Sequence, residues 1–247
     1  MVRGAISDIG KVRDKNQDAY YVSSKNDLGL YIVADGMGGH KSGEIASSMA
    51  LETVKNQFLK FDAKIDNKAD ILKLIKASIE EANIKIYLKS LETLECQGMG
   101  TTMTLAYIFK DNILLGHVGD SRAYIIENGD MRQITEDHSY INELLKNGTI
   151  TEEEAKTHPK KNMITRAIGT SSKIEVDIIE EKYKLGEILL ICSDGLYNML
   201  EEKEINSVFN RDKSMQESCE ILAAMANEKG GLDNITVVAI KFDEVKL

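Results

Sequence analysis

Apolar runs that stop at an aspartate beside a glycine recur along this chain. Leu30-Tyr31-Ile32-Val33-Ala34 ends at Asp35-Gly36, Leu114-Leu115-Gly116-His117-Val118 at Gly119-Asp120, and Leu189-Leu190-Ile191-Cys192-Ser193 at Asp194-Gly195. Asp233 stands immediately before a further apolar run, 234–242. Asp and Gly are common turn residues, so one such strand end carries no information. Several do, because strands of a layered sheet share ends and can bring the carboxylates to one place. Crowding of this kind is unfavourable without a cation: two like charges 4 Å apart repel by about 4 kcal/mol at an effective dielectric near 20. A divalent ion reverses the sign. Glycine after Asp35 lets the backbone approach such an ion, so the Gly36 carbonyl is itself a candidate ligand.

The pattern around these runs is mixed. Residues 28–35 read as a strand. Helices are expected over 43–60, with Ile45, Met49, Val54 and Phe58 roughly on one face, and over 68–91, with Leu72, Ile75, Ile79, Ala82 and Ile86 spaced by three and four. Strands follow at 101–109, 112–118 and 122–127, and Asn128-Gly129 suits a two-residue hairpin turn into 131–135. So short a connection requires antiparallel pairing. Residues 139–147 read as a helix stopped by Gly148, and Thr151-Glu152-Glu153-Glu154 as a capping-box start. A strand at 187–193, helices at 201–209 and 214–228 and a strand at 234–242 complete the pattern. Strands that run together, with helices in pairs, favour an α+β chain of antiparallel sheets covered by helices over a parallel βαβ sheet.

Bulk properties narrow the function. With 247 residues and 43% hydrophobic content the chain can bury a sizeable core. It has one proline and no Gly/Ser-rich linker, so a single domain over 1–247 is expected. A net charge of -9 lacks the basic field of a nucleic-acid binder and has no attraction to an anionic membrane. Cys96, Cys192 and Cys219 are far apart and form no CxxC pair, which argues against a disulfide framework or a cysteine zinc site and fits a reducing compartment. Met1-Val2-Arg3-Gly4 does not open a signal peptide, and the longest apolar runs are too short to span a bilayer. A soluble cytoplasmic protein is expected.

Ligand type bears on the metal. The candidate donors are hard oxygens, the chain has only 4 histidines and HExxH is absent. That favours Mg2+ or Mn2+ over Zn2+. Two such ions, roughly 3.5–4 Å apart, would ionise a bridging water and stabilise in-line displacement at phosphorus, with Asp35 able to bridge both. A phosphate ester also needs a cationic clamp, and Gly10–Asp18 offers Arg13 beside a further carboxylate, Asp18. Arginine matches phosphate oxygens two at a time. By spacing alone, Arg13 would be a solvated surface residue. Other chemistries lack their residues. A cysteine-nucleophile phosphatase needs Arg six positions after Cys, where this chain has Thr102, Asn198 and Met225. Neither DxDxT nor GxxxxGK[ST] occurs.

Six segments recur in a known order: Val12–Asp18, Ala34-Asp35-Gly36-Met37-Gly38-Gly39-His40, Gly98-Met99-Gly100-Thr101-Thr102, Val118-Gly119-Asp120-Ser121-Arg122, Ser193-Asp194-Gly195, and Asp233-Asn234-Ile235-Thr236. In this the chain resembles the metal-dependent serine/threonine phosphatases of the PPM or PP2C type, especially the bacterial branch. The resemblance implies a four-layer α-β-β-α sandwich of two antiparallel sheets flanked by helices. It implies that Asp35 bridges two catalytic ions, that Gly36 supplies its carbonyl, and that Asp194 and Asp233 complete one metal site. Asp18 would bind through water or support the ligands from behind. Arg13 would hold the substrate phosphate, and Asp120 with Asp194 would form a third metal site. The stretches 148–159 and 162–169 resemble the bacterial flap, expected at about 145–170. Phosphorylated proteins would be the substrates, a cognate Ser/Thr kinase a functional partner, and the chain a monomer.

One position departs from the pattern. The animal branch has a histidine after Asp-Gly, proposed as general acid, and here Met37 stands there. His40 is the nearby candidate for that role, the alternative being that the turn only caps the next helix. His138 reads as structural and His117 as a packed or edge residue. An inactive binding module of the same fold should have lost ligands or the arginine, and this chain keeps them. A phosphatase of small phosphate esters would use the same metal chemistry.

Overall fold

Alternation along each strand decides which layer each side chain enters. The structure, a computed structural model, describes residues 1–23, 29–39, 42–60, 67–209 and 213–243. In β3 (Leu30–Met37), Leu30 and Ile32 face one core while Tyr31 and Val33 face another. β5 (Met103–Phe109) and β6 (Asn112–Val118) divide the same way, Leu105 and Leu114 to the first side, Ala106 and Leu115 to the second. Strands buried on both faces read as continuous apolar runs, which is why these were conspicuous in the sequence.

With β2 (Asp18–Val22) and β9 (Asp177–Lys182) these strands form one antiparallel sheet in the order β2-β3-β5-β6-β9, and the short β4 (Gly100–Thr101) pairs with the end of β3. The second sheet has the order β1-β11-β10-β7-β8, from β1 (Val2–Asp8), β7 (Arg122–Glu127), β8 (Asp130–Gln133), β10 (Ile188–Cys192) and β11 (Ile235–Lys241). Tyr31, Val33, Leu189, Ile191, Val238 and Ile240 fill the space between the sheets. α1 (Ser42–Lys60) and α2 (Lys68–Glu92) cover the outer face of the first sheet through Val54, Phe58, Ile75 and Ile79. α6 (Glu202–Phe209) and α7 (Met215–Glu228) cover the second, with the single turn α5 (Asp194–Tyr197) between β10 and α6. The layers are α-β-β-α, as expected.

α3 (Tyr140–Lys146) and α4 (Glu152–Thr157) form a helical hairpin off this frame. α4 begins with the expected capping box, Thr151 with Glu154. The β7–β8 turn is also as read, with Asn128 and Gly129 at φ 50° and 92°. Elsewhere the boundaries moved. β3 runs on to Met37 because β4 pairs with Gly36 and Met37. Three strands were not anticipated: β1, β2 and β9. Each is a sheet edge with half-exposed, mixed residues, so its sequence carries no alternation. Among the described residues no helix is long and apolar enough to cross a membrane. The three cysteines are buried and free.

Candidate metal centre

Antiparallel pairing brings the aspartates to one end of the sandwich. Asp18 opens β2 directly opposite Asp35 near the end of β3. β10 pairs with β11 antiparallel, Cys192 facing Val237, so Asp194 after one strand lies beside Asp233 before the other. β6 ends against the start of β5, Val118 facing Met103, which puts Asp120 at the same end.

The backbone here is tightly held. The Asp35 N–H donates to Thr102 Oγ1 at 2.9 Å, and its carbonyl accepts from the Thr102 N–H at 2.8 Å and from Thr101 Oγ1 at 2.9 Å. Gly36 has no room for a side chain, since a Cβ would lie 2.1 Å from the Gly43 carbonyl oxygen and 2.5 Å from that of Gln17. Its N–H donates to the Gln17 carbonyl at 3.1 Å. Ser193 Oγ donates to Asp18 Oδ2 at 2.8 Å and accepts from the Thr236 N–H at 2.9 Å, tying the two sheets together behind the carboxylates.

The electrostatics are those of a cluster short of cations. Asp18 Oδ1 and Asp194 Oδ1 are buried and accept no hydrogen bond among the described residues. Burial, then the Asp18 and Asp194 carboxylates, push the Asp35 carboxyl well above the usual range. Burial, then Asp120 and Asp233, do the same to Asp194. Asp18 is pushed up to about 6 by burial, against hydrogen bonds from Thr236 and Ser193. Asp120 is also pushed up to about 6 by burial and by Asp137. Among the described residues no group of three or more His, Cys, Asp or Glu side chains is arranged, as it stands, to hold a metal ion. Asp233 is turned aside: its Oδ2 accepts from Arg13 Nη2 at 2.6 Å and its Oδ1 from the Asn234 N–H at 2.8 Å. A carboxylate among carboxylates takes whatever cation is in reach. Unpartnered buried oxygens and mutually raised carboxyls fit an oxygen-ligand divalent ion, which would satisfy both.

Arg13 reaches the cluster on a loop that Asn234 organises. Asn234 Oδ1 accepts from the Gln17 N–H at 2.8 Å, and its Nδ2 donates to the Ile9 and Lys15 carbonyls at 2.9 Å. Arg13 itself is 52% exposed, so its guanidinium is open to an incoming anion while Asp233 holds it. In the sequence Asn234, Ser193 and Thr102 stand only as neighbours within the motifs. In the contacts above their partners lie 43 to 225 positions away, which no local pattern contains.

The histidines sort differently. His40 lies outside the described residues. His117 is fully buried, bonded through Nδ1 to Thr104 Oγ1 and through Nε2 to the Glu136 carbonyl, and burial pushes it down to about 4. It is a packed residue. His138 is buried beside it, ring centroids 4.9 Å apart. Met37 lies against Gly100, where a Cβ would stand 2.7 Å from its methyl.

Known proteins resemble this chain along nearly its whole length. The family described as Protein phosphatase 2C matches residues 11–234. The serine/threonine phosphatase stp of Listeria welshimeri is 38% identical over 236 residues, covering 95% of this chain and 93% of that one. The S. agalactiae serine/threonine phosphatase superposes with a TM-score of 0.92 at 39% identity, over 98% of this chain and 99% of that one. The catalytic domain of the phosphatase PstP, solved with 2 manganese ions, superposes with a TM-score of 0.86 at 30% identity, over 98% of each.

Proposed function

Because this chain belongs to the protein phosphatase 2C family, we propose that its clustered aspartates hold the divalent ions of a phosphoester hydrolase. The chain is a metal-dependent serine/threonine protein phosphatase of the bacterial type. The observation that carries the site assignment is the pair of buried, unpartnered oxygens, Asp18 Oδ1 and Asp194 Oδ1, among carboxyls raised by one another.

Asp35, the Gly36 carbonyl, Asp194 and Asp233 would hold two ions, with Asp35 shared and Asp18 supporting from the opposite strand. Asp120, the carboxylate with the largest effect on Asp194, would share a third ion with it. Manganese in a homologue supports Mn2+, and Mg2+ takes the same oxygen ligands. When bound, the ions supply Lewis-acid chemistry: they ionise water near neutral pH and offset negative charge growing at phosphorus. Arg13 would position the ester, because its half-exposed guanidinium stands beside the cluster and can present paired N–H groups to phosphate oxygens. The Thr101, Thr102 and Gln17 contacts keep the Asp35-Gly36 backbone in place, so orientation is fixed before substrate arrives. The leaving serine or threonine oxygen needs a proton, and His40 is the candidate donor.

Residues 145–170 would form the flap that borders the substrate. A cognate Ser/Thr kinase, a reducing cytoplasmic setting and a monomeric state complete the reading, the second resting on three free buried thiols. The deciding experiment gives the purified chain phosphothreonine, phosphoserine and phosphotyrosine peptides in parallel, with Mn2+, Mg2+ or EDTA. Release of phosphate from the first two, ended by chelation, is expected. Activity surviving EDTA would contradict the metal assignment.

A further inference from the structure

Residues 9–17, between β1 and β2, carry three cations, Lys11, Arg13 and Lys15, against one carboxylate, Asp14, in a chain whose net charge is -9. The loop is pinned at several points. Asn234 Nδ2 donates to the Ile9 and Lys15 carbonyls at 2.9 Å, and its Oδ1 accepts from the Gln17 N–H at 2.8 Å. The Gly10 N–H donates to Asp8 Oδ1 and the Lys11 N–H to the Gly231 carbonyl, each at 2.8 Å. Gly10 packs so closely that a Cβ would lie 2.3 Å from the Asp233 carbonyl oxygen. Each of these contacts is made by the loop backbone. The side chains of Lys11, Val12, Arg13 and Lys15 are left exposed, even the apolar Val12 at 61%. Among the described residues neither lysine forms an ion pair, whereas Arg13 meets Asp233 at 2.6 Å. One solvated lysine is ordinary. Two on a fixed backbone, either side of the arginine at the carboxylate cluster, form a cationic rim to that cluster.

We propose that Lys11 and Lys15 are specificity-determining residues that select phosphoproteins with acidic side chains within two positions of the phosphorylated serine or threonine. The proposal rests on the reading of Arg13 as the residue that holds the substrate phosphate. Reach supports it. Two residues of chain span at most about 7 Å, so both lysines leave the backbone within that distance of Arg13. An extended substrate advances about 3.3 Å per residue, so the positions flanking its phosphorylated residue cover the same span. With the phosphate at Arg13, an acidic neighbour meets a lysine and a basic neighbour meets a like charge. A chain of net charge -9 repels acidic partners over most of its surface, and a cationic loop where the ester enters steers them to that place. Exposed charge pairs are weak singly, so the selection lies in binding and encounter and not in the chemical step.

The test gives the full chain, with saturating Mn2+, phosphothreonine peptides that carry Glu, Ala or Lys beside the phosphorylated residue, and phenyl phosphate, which has no flanking residues. Wild-type kcat/KM should rank the Glu peptide above the Ala peptide and both above the Lys peptide, through KM with kcat nearly constant. The ranking should flatten in about 1 M NaCl, where screening acts within about 3 Å. Lys11→Gln and Lys15→Gln should each cost about two- to fivefold on the Glu peptide, the size of an exposed ion pair, with the loss confined to peptides. Lys11→Glu combined with Lys15→Glu should invert the ranking, which a general loss of structure would not do. Equal treatment of the three peptides by the wild type would overturn the proposal, as would an unaltered ranking in the double variant. So would a loss on phenyl phosphate as large as that on the Glu peptide, since the lysines would then act on the metal centre. If Arg13→Ala turns over phenyl phosphate as the wild type does, the reading of Arg13 has failed first and the proposal falls with it.

Discussion

Asp35 shows what one residue carries in this molecule. Its carboxyl faces Asp18 across the ladder and shares an end of the sandwich with Asp194, Asp120 and Asp233, all of which raise it. The same crowding that costs stability without a cation becomes binding energy with one. Asp35→Asn should therefore move two observables in opposite directions. Turnover of a phosphothreonine peptide with saturating Mn2+ should fall by more than the roughly 10–100-fold lost with an outer-shell partner. The melting temperature in EDTA at pH 8 should rise, since an amide there no longer adds to the repulsion among the carboxylates, and about 1 kcal/mol is worth about 2–4 °C in a chain of this size. Near-wild-type turnover would show that Asp35 is not the shared ligand. Arg13 illustrates a limit of reading residues singly. Its spacing reads as surface, the ordered motifs imply a phosphate-holding role, and the contact with Asp233, 220 positions away, brings it beside the cluster.

At the scale of elements, the carboxylates are placed by backbone contacts more than by their own side chains. α5 starts at Asp194 and sits against Asn234, so closely that a Cβ on Gly195 would lie 2.0 Å from the Asn234 carbonyl oxygen. Gly195→Ala must push the Asp194 turn away from Asp233. A stability loss of about 1–3 kcal/mol, the usual range for overpacking, is expected by denaturant titration, together with weaker Mn2+ binding by calorimetry. The opposite case is α7, where Ser214 and Glu217 form a capping box remote from the cluster. Ser214→Ala should cost about 1 kcal/mol and leave turnover of the folded protein unchanged. If both variants changed turnover alike, the loss would be general and not a matter of where each element points.

For the molecule as a whole, the raised carboxyls make a pH prediction. Asp18 and Asp120 stand at about 6, and Asp35 and Asp194 well above their ordinary value. In an unfolded chain an aspartate releases its proton near pH 4. Between those limits the folded chain holds more protons than the unfolded one, so its stability falls as pH rises. The metal-free protein in EDTA should melt at its highest temperature near about pH 5 and lose stability progressively towards pH 8. Saturating Mn2+ should remove the decline, because the ion binds the ionised carboxylates of the folded state only. A melting temperature that is flat or rising in EDTA over that window would mean that the carboxylates are not crowded. The net charge of -9 acts in the same direction, though more weakly because it is spread over the surface.

Local pattern was sufficient for whatever depends on neighbours along the chain. The buried strands, the long helices, the Asn128-Gly129 turn and the Thr151 capping box were all legible, since period and turn chemistry act over a few residues. So were the aspartates, because strand ends with Asp-Gly recur, and the ordered motifs pointed to the family. The edge strands β1, β2 and β9 were not, because their half-exposed, mixed residues carry no alternation, whereas the fourth edge, β8, was announced by the Asn128-Gly129 turn. The grouping of Asp18 with Asp35, of Asp233 with Arg13, and of His138 with Gly119 and Asp177 was decided by tertiary structure alone. Burial, hydrogen bonding and charge act through space, and at this end of the sandwich the residues that meet are far apart in sequence. The recurring aspartates were legible as candidates for one site, and folding decided which of them face one another.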